Sequence, residues 1–335
     1  MPMFKQGIVA ALAAGLLAVP FAVGGADNAP PFVSATDAYH AGITDLKLGE
    51  TEQALPALEY AAEHGVLGAQ LKLARIYTSG DGVKKDEAKA FYFYRQIANQ
   101  RADISPLSPV SKYVTEAFVA LGDSYLKGIP SAGLTQDPSR AANLYRHAAS
   151  YFGDADAQYA LARLYLDGDG VDKNVGLAIN WLATAAKKQH PEAQATLGEL
   201  LWRGGDDVRQ RPARGLALIM LAHANAKADG KEPKWIADLY AAVEGASTAA
   251  MRQEAQNLMP ELGGRMVAGG PATVKGNLAE EMLVPAAGGA SPTSAPVPPP
   301  STGAMASGLP SPTAPPPENI GVPIGFSDAN PAAKP

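Results

Sequence analysis

The chain has 335 residues, 47% of them hydrophobic, with 33 acidic and 28 basic side chains giving a formal net charge of −5. That is enough for one sizeable domain plus extensions, and the scattered, outnumbered Lys and Arg provide no basic stripe to displace counterions from a nucleic acid. No cysteine is present, which excludes disulfides, a cysteine nucleophile, thiolate zinc sites and a lipid-bearing cysteine anchor.

Residues 1–26 read as a secretory leader. Lys5 precedes an apolar run from Gly7 to Val23, and Gly24, Gly25 and Ala26 form a small-residue exit, so cleavage is expected after Ala26. The run nears the roughly 18 residues that span a bilayer. Pro20 and the absence of a basic stop-transfer flank favour removal over retention as an anchor. The mature chain is expected to be soluble outside the cytoplasmic membrane, beginning with a short linker, 27–36.

Residues 37–262 are expected to be almost all helix, because apolar residues recur at helical spacing and no alternation is long enough for a strand. The segment AQYALARLYLDGDGVDKNVGLAINWLATAA, 157–186, overlays 69–98 without a gap and matches it at 13 of 30 positions. Copies also start at Ala117 and Ala193, and a degenerate one, with Ala54, Leu58 and Ala62, looks like an N-terminal cap. A period of about 35 to 40 residues built from helix pairs predicts an all-α solenoid. In each copy a small residue (Ala69, Gly122, Ala162, Gly198) is expected to let the paired helix approach, and a glycine (Gly80, Gly128, Gly168, Gly204) to stop the first helix. Asp86, Asp137 and Asn174 are expected to cap the second helices, each worth about 1 kcal/mol, with Pro138 at a first helical position. The second helices carry Ala90, Ala141 and Ala178, then Tyr94, Tyr145 and Leu182, then Ala98, Ala149 and Ala186, an apolar face that only stacking can bury. Helical stretches around Trp235 and Met251 are expected to close the C-terminal end.

Two stretches break the pattern. Ser-Pro pairs in 100–117 predict a long inter-repeat loop or insertion. Beyond Leu262 the residues 268–335 hold 15 of the 28 prolines and one aromatic, Phe326, a composition expected to give a disordered tail over 263–335. Its proline runs at 296–300 and 315–317 favour extended conformations suited to a spacer or docking ligand.

Candidate chemistry fails in its details. Gly80-Asp81-Gly82 and Gly168-Asp169-Gly170 lack the third glycine of a dinucleotide loop and the Gly-Lys-Ser/Thr of a P-loop. Asp167 and Asp169 have a calcium-loop spacing, but Asp172 stands where the loop glycine belongs and no ligating glutamate follows. His40, His64, His147, His190 and His223 show no zinc spacing, and Asp206-Asp207 reads as a solvated turn. No catalytic, cofactor-binding or metal-binding residues are expected.

The unit A-x-x-x-L-(A/G)-x-x-Y-x-x-G-x-G-V, followed by Asp or Asn and a closing Ala-Ala, resembles the Sel1-like repeat, a relative of tetratricopeptide repeats. ALEYAAEHG, the 77–83 turn, SYLKGIP and DPSRAANLYRHAASYFGDADAQYALARLY together resemble the ExoR family of periplasmic regulators of alphaproteobacteria. That resemblance implies a cleaved leader, a helical solenoid, and inhibition of a sensor histidine kinase through its periplasmic domain, with control of exopolysaccharide production. A periplasmic protease is a further implied partner. The Pro-rich tail departs from the family pattern.

On the inner face of such an array Arg75, Asp123, Arg163 and Glu199 are equivalent positions of alternating sign, with Lys72 one turn before Arg75. They are the candidate partner-binding residues, a ladder suited to setting register and association rate; the alternative is a solvated face. A scaffold of the cell envelope and an enzyme acting on cell wall or polysaccharide are the competing readings.

Overall fold

The computed structural model describes residues 32–205 and 207–263. The expected leader, the proline-rich tail and Asp206 lie outside them. The described chain forms twelve α-helices: α1 (Ala35–Leu48), α2 (Thr51–Glu63), α3 (Leu67–Ser79), α4 (Glu87–Arg101), α5 (Ser111–Lys127), α6 (Pro138–Ser150), α7 (Ala155–Asp167), α8 (Val175–Lys187), α9 (Pro191–Arg203), α10 (Pro212–Ala228), α11 (Lys234–Ala246) and α12 (Ala249–Leu262). A single 3₁₀ turn, Pro130–Ala132, occupies the longer turn of the third copy, and no strand occurs among the described residues. Helices α1/α2, α3/α4, α5/α6, α7/α8 and α9/α10 pack as pairs, each second helix also packs on the next first helix, and α11 and α12 both pack on α10. The fold is an all-α solenoid of helix pairs.

The predicted columns are the core. Leu73, Leu121, Leu161 and Leu197 on the first helices are at most 1% exposed, and Leu58, Tyr145 and Leu182 on the second helices are fully buried. Asp86, Asp137 and Asn174 accept the amides of Lys89, Arg140 and Leu177 at 2.9–3.0 Å, as capping side chains should. A Cβ on Gly122 would lie 2.5 Å from the Tyr145 ring, and one on Gly198 2.7 Å from Ile219, so the small column does set the distance between paired helices.

The Gly-Asp-Gly turns have a second role. Gly82 lies against Thr51 at the start of α2, and Gly170 lies on the backbone of Pro138 and Ser139 at the start of α6, whose Ser139 hydroxyl donates to the Gly170 carbonyl at 3.1 Å. Each turn therefore touches the preceding unit with no room for a side chain. What resembles a ligand loop is a contact between units.

A buried glutamine column adds a second tie. Gln70, Gln158 and Gln194 are at most 2% exposed. Their side-chain amides donate to the carbonyls of Ala62, Ala149 and Ala186, at 3.1, 3.1 and 3.2 Å, near the ends of α2, α6 and α8. Helix ends leave carbonyls without intrahelical partners, and the glutamines add a buried side-chain donor there, beside the backbone amides of Gly65 and Gln189 that also reach the Ala62 and Ala186 carbonyls. A further repeated device joins the helices within a unit: Lys89 lies over the Tyr77 ring at 4.6 Å, and Arg140 over Tyr125 at 5.0 Å. Both also donate to the hydroxyl beneath them. The fourth unit lacks the device because Leu177 stands at the cation's position.

The insertion is shorter than the Ser-Pro pattern suggests. Helix α5 begins at Ser111, so only 102–110 is loop; the residues from Lys112 to Glu116 extend the first helix because nothing after Pro109 breaks the helical period. At this junction Phe118 replaces the glutamine. His147 of α6 fills the space, 9% exposed, with ring centroids 4.6 Å from Phe118, 5.2 Å from Tyr151 and 5.4 Å from Phe152. Burial holds the imidazole below its ordinary pKa, opposed by the Ala102 carbonyl and Asp103.

Two measurements check this packing. Gly133 and Gly170 share a positive φ, 64° and 68°, but space around Gly133 is open. Gly133→Ala is expected to cost about 1 kcal/mol of strain and Gly170→Ala about 3 kcal/mol, since overlap with backbone is added; equal losses in chemical denaturation would remove the inter-unit role. For His147 the folded state resists protonation, so its contribution is complete above the unfolded pKa of about 6.5 and is lost as pH falls below it. The drop in Tm between pH 7.5 and 5.0 is expected to be smaller in His147→Phe than in the parent chain.

Candidate protein-binding surface

The first helices α3, α5, α7 and α9 place the equivalent residues Arg75, Asp123, Arg163 and Glu199 where the repeat register requires, but each has a partner within the chain. Arg75 reaches the next first helix: its Nε donates to Glu116 Oε1 at 2.7 Å and its Nη2 pairs with Glu116 Oε2. This bidentate bridge raises the guanidinium pKa further. Asp123 accepts the hydroxyl of buried Tyr145 at 2.6 Å. Burial first, and then Asp123, push that phenol well above its ordinary range. Arg163 lies 3.4 Å from the Tyr159 hydroxyl and 3.6 Å from Asp167, and Glu199 pairs with Arg203 at 2.8 Å. Lys72 is exposed and enters no ion pair among the described residues.

The five do not form one continuous site. Arg163 and Glu199 line a common open groove of about 440 Å³ across α7, α9 and the start of α11, together with Tyr159, Leu166, Leu200, Arg203 and Trp235. Asp123 lines a smaller cleft of about 160 Å³ between α3, α4 and α5, with Tyr94 and Lys127. Lys72 and Arg75 line neither. Arg75 belongs to the tie between two units, and the sign alternation along the column did not reveal this because Glu116 comes from a different repeat column.

The groove between α7 and α9 combines what protein interfaces use: aromatic faces, aliphatic floor and charges at the edge. Its aromatic wall is built locally. His190 caps α9 by accepting the Ala193 amide at 3.1 Å, and its other ring nitrogen meets Asp156 of α7 at 3.0 Å, a bond that holds the Asp156 carboxyl below its usual pKa. The His190 ring sits 5.0 Å from Tyr159, fixing that side of the groove. Trp235 on the other side is 39% exposed. Repeat columns could not point to it because it follows the last copy; a tryptophan at the first turn of a capping helix was the only signal. Among the described residues no cluster of His, Asp and Glu could hold a metal ion, and no helix is long and apolar enough to cross a membrane.

The architecture and groove define a repeat scaffold of stacked helix pairs. The Sel1 repeat model matches residues 68–101, 116–150 and 155–190, the units built from α3 to α8. The chain is 35% identical over 222 residues, 66% of its length and 80% of the relative's, to an exopolysaccharide production negative regulator of Rhizobium leguminosarum bv. viciae. It is 38% identical over 181 residues to the protein of the same description from Rhizobium meliloti (strain 1021), covering 54% of this chain and 65%, slightly under two thirds, of that one. A Sel1 repeat protein of Oxalobacter formigenes of known structure shares 22% identity, with a TM-score of 0.43, over 56% of this chain and 70% of its own. The chain belongs to the Sel1 repeat family, with the two rhizobial regulators among its relatives.

The Arg75–Glu116 tie gives a stability test. Arg75→Glu places two carboxylates together and is expected to lower Tm, whereas the exchanged pair Arg75→Glu with Glu116→Arg restores most of the loss. The coupling should stay near 1 kcal/mol, the scale for a partly exposed bridge; absence of any recovery would show that the two side chains do not act together.

Proposed function

We propose that this chain is a non-catalytic negative regulator of exopolysaccharide production that works in the periplasm by holding the periplasmic domain of a sensor histidine kinase. The observation that carries the regulatory reading is the 35% identity extending over 80% of a relative described as a negative regulator of this process. The kinase as target and the periplasm as compartment follow from the ExoR resemblance and the leader-like residues 1–26. A periplasmic protease that removes the protein would relieve the inhibition. The absence of catalysis is part of the proposal: the groove presents arginines, a glutamate and aromatic faces with no serine or cysteine nucleophile beside a base. Such a surface is built to hold another protein.

The groove across α7 and α9 is the proposed contact. Arg163 and Glu199 are retained from the expected ladder, joined by Tyr159 and Trp235 as anchors of the kind that dominate binding energy.

Deleting the gene is expected to raise exopolysaccharide output, and restoring it to lower output again. A fall on deletion would overturn the regulatory reading, since loss of a biosynthetic enzyme acts in that direction. In a binding titration with the kinase's periplasmic domain, Trp235→Ala combined with Arg163→Glu is expected to weaken affinity at least about tenfold, on the scale of an anchor worth more than 1.4 kcal/mol. Unchanged affinity would remove this groove as the contact.

A further inference from the structure

We infer that His223 is the positioning residue for Trp235: by tying the segment before α11 back to α10, it fixes the groove wall that lies outside the repeats. That Trp235 matters to a partner rests on the regulatory reading; its placement by His223 does not.

Trp235 stands in the first turn of α11, so what holds that turn decides where the indole lies. Pro233 is the N-cap of α11 and makes no side-chain capping bond, so this helix start lacks the anchor that Asp86, Asp137 and Asn174 provide elsewhere. Next to Trp235, fully buried Ile236 seats among Ala195 of α9 and Ala222 and Ala226 of α10. Apolar burial is non-directional, and such contacts tolerate a turn of α11 about its axis. Trp235 lies about 100° around the helix from Ile236, so a turn would swing the indole into or out of the groove. His223 supplies the missing direction. Its Nδ1 meets Glu232 Oε1, and because an ionised carboxylate only accepts, Nδ1 carries the donated proton. Glu232 immediately precedes Pro233, so the bond fixes the chain at its entry to α11. The same imidazole lies flat on Tyr240, with ring centroids 4.2 Å apart and planes 14° from parallel. Ile236 and Tyr240 are four residues apart and share one face of α11, the face turned to α10. One side chain of α10 thus holds both the entry to α11 and the rotation of the helix that follows. With His223 and Glu232 only 18% and 16% exposed, water competes little for this charge-assisted bond.

The chain has no cysteine, so Thr196→Cys on α9, inside the groove, takes a single bimane label in the full chain, and bimane is quenched on contact with tryptophan. The part of the quenching that Trp235→Phe removes reports the place of the indole. That part is expected to fall by at least about half in His223→Ala and in Glu232→Ala, and to persist in Glu232→Gln, whose amide oxygen still accepts from Nδ1. Glu232→Ala breaks the bond from the loop side and leaves the helix packing in place, so it decides the matter where His223→Ala is too unstable to assay. Trp235-dependent quenching that is unchanged in the alanine variants, even with a lowered Tm, would overturn the proposal and leave His223 a packing residue. Quenching that does not depend on Trp235 at all would overturn it too, because the indole would not lie in the groove. A titration with the kinase's periplasmic domain reads the consequence: the affinity lost on Trp235→Ala should shrink at least about threefold in the His223→Ala background, since both substitutions act through one side chain. Independent costs would overturn the positioning role. A domain that fails to bind the parent chain would remove the regulatory reading and leave the quenching to decide the placement.

Discussion

The structure depends on one constraint: no helix pair in this chain can bury its apolar face alone, so every unit must meet the next in a fixed register. Apolar burial is non-directional and would tolerate a range of offsets between neighbouring units. The buried glutamines remove that freedom. Gln70, Gln158 and Gln194 each reach a carbonyl near the end of the preceding second helix. A shift in register would take this acceptor from each buried side-chain amide, and a polar group left unpaired in a dry interior costs about 1–3 kcal/mol. The carbonyl end of a helix also carries partial negative charge, which favours an N–H donor there. On the opposite edge Gly82 and Gly170 press against the starts of α2 and α6, a contact so close that the units fit in one way.

The junction before α5 shows what happens when the device is missing. Phe118 occupies the glutamine position, the loop 102–110 intervenes, and α4 and α5 are held by other means. The Arg75–Glu116 bridge spans the first helices, while the ring cluster around His147 joins α5 to α6 within the following unit. The directional tie is replaced by a partly exposed one, beside a buried imidazole whose protonation burial disfavours, so the junction is expected to respond to salt and acid more than its neighbours do. Two cooperative halves joined at α4/α5 are the consequence expected for a quasi-one-dimensional array with one altered interface.

What could be read from the sequence was what is local and repeated. The helix stops, the caps at Asp86, Asp137 and Asn174, and the buried Ala-Leu/Tyr-Ala columns depend on neighbours within one unit, and several copies made each pattern visible. The glutamine column was equally present in the overlay, where Gln70 matches Gln158, but identity in a polar column does not reveal whether the side chain faces solvent or a carbonyl. The start of α5 at Ser111 was obscured because Ser-Pro pairs signal a break without marking where the break ends. The intrachain partners of the ladder charges were hidden for a different reason. Reading one column gives the sign of each charge, whereas its partner comes from another column, as Glu116 does for Arg75, or from one turn along, as Asp167 and Arg203 do for Arg163 and Glu199. Trp235 lies beyond the last copy, where repetition carries no information.

The two pairs left in the groove are not equivalent, and the difference decides which charge is available. In α9 the acid precedes the base, Glu199 before Arg203, the favourable order along a helix because each charge lies toward the helix end that attracts it. Their separation is 2.8 Å. In α7 the order is reversed: Arg163 precedes Asp167, so Asp167 sits against the negative C-terminal end of its helix, and the pair stands 3.6 Å apart. Breaking the second pair therefore costs less than breaking the first. A ligand carboxylate entering the groove would replace Asp167 on Arg163 and release Asp167 to solvent at the helix end, while Arg203 remains engaged by Glu199. Of the two arginines and one glutamate that line the groove, Arg163 is the cation that exchanges partners more easily, held in place by the Tyr159 hydroxyl. The order of two residues along a helix thus leaves Arg163 easier to re-pair than Arg203.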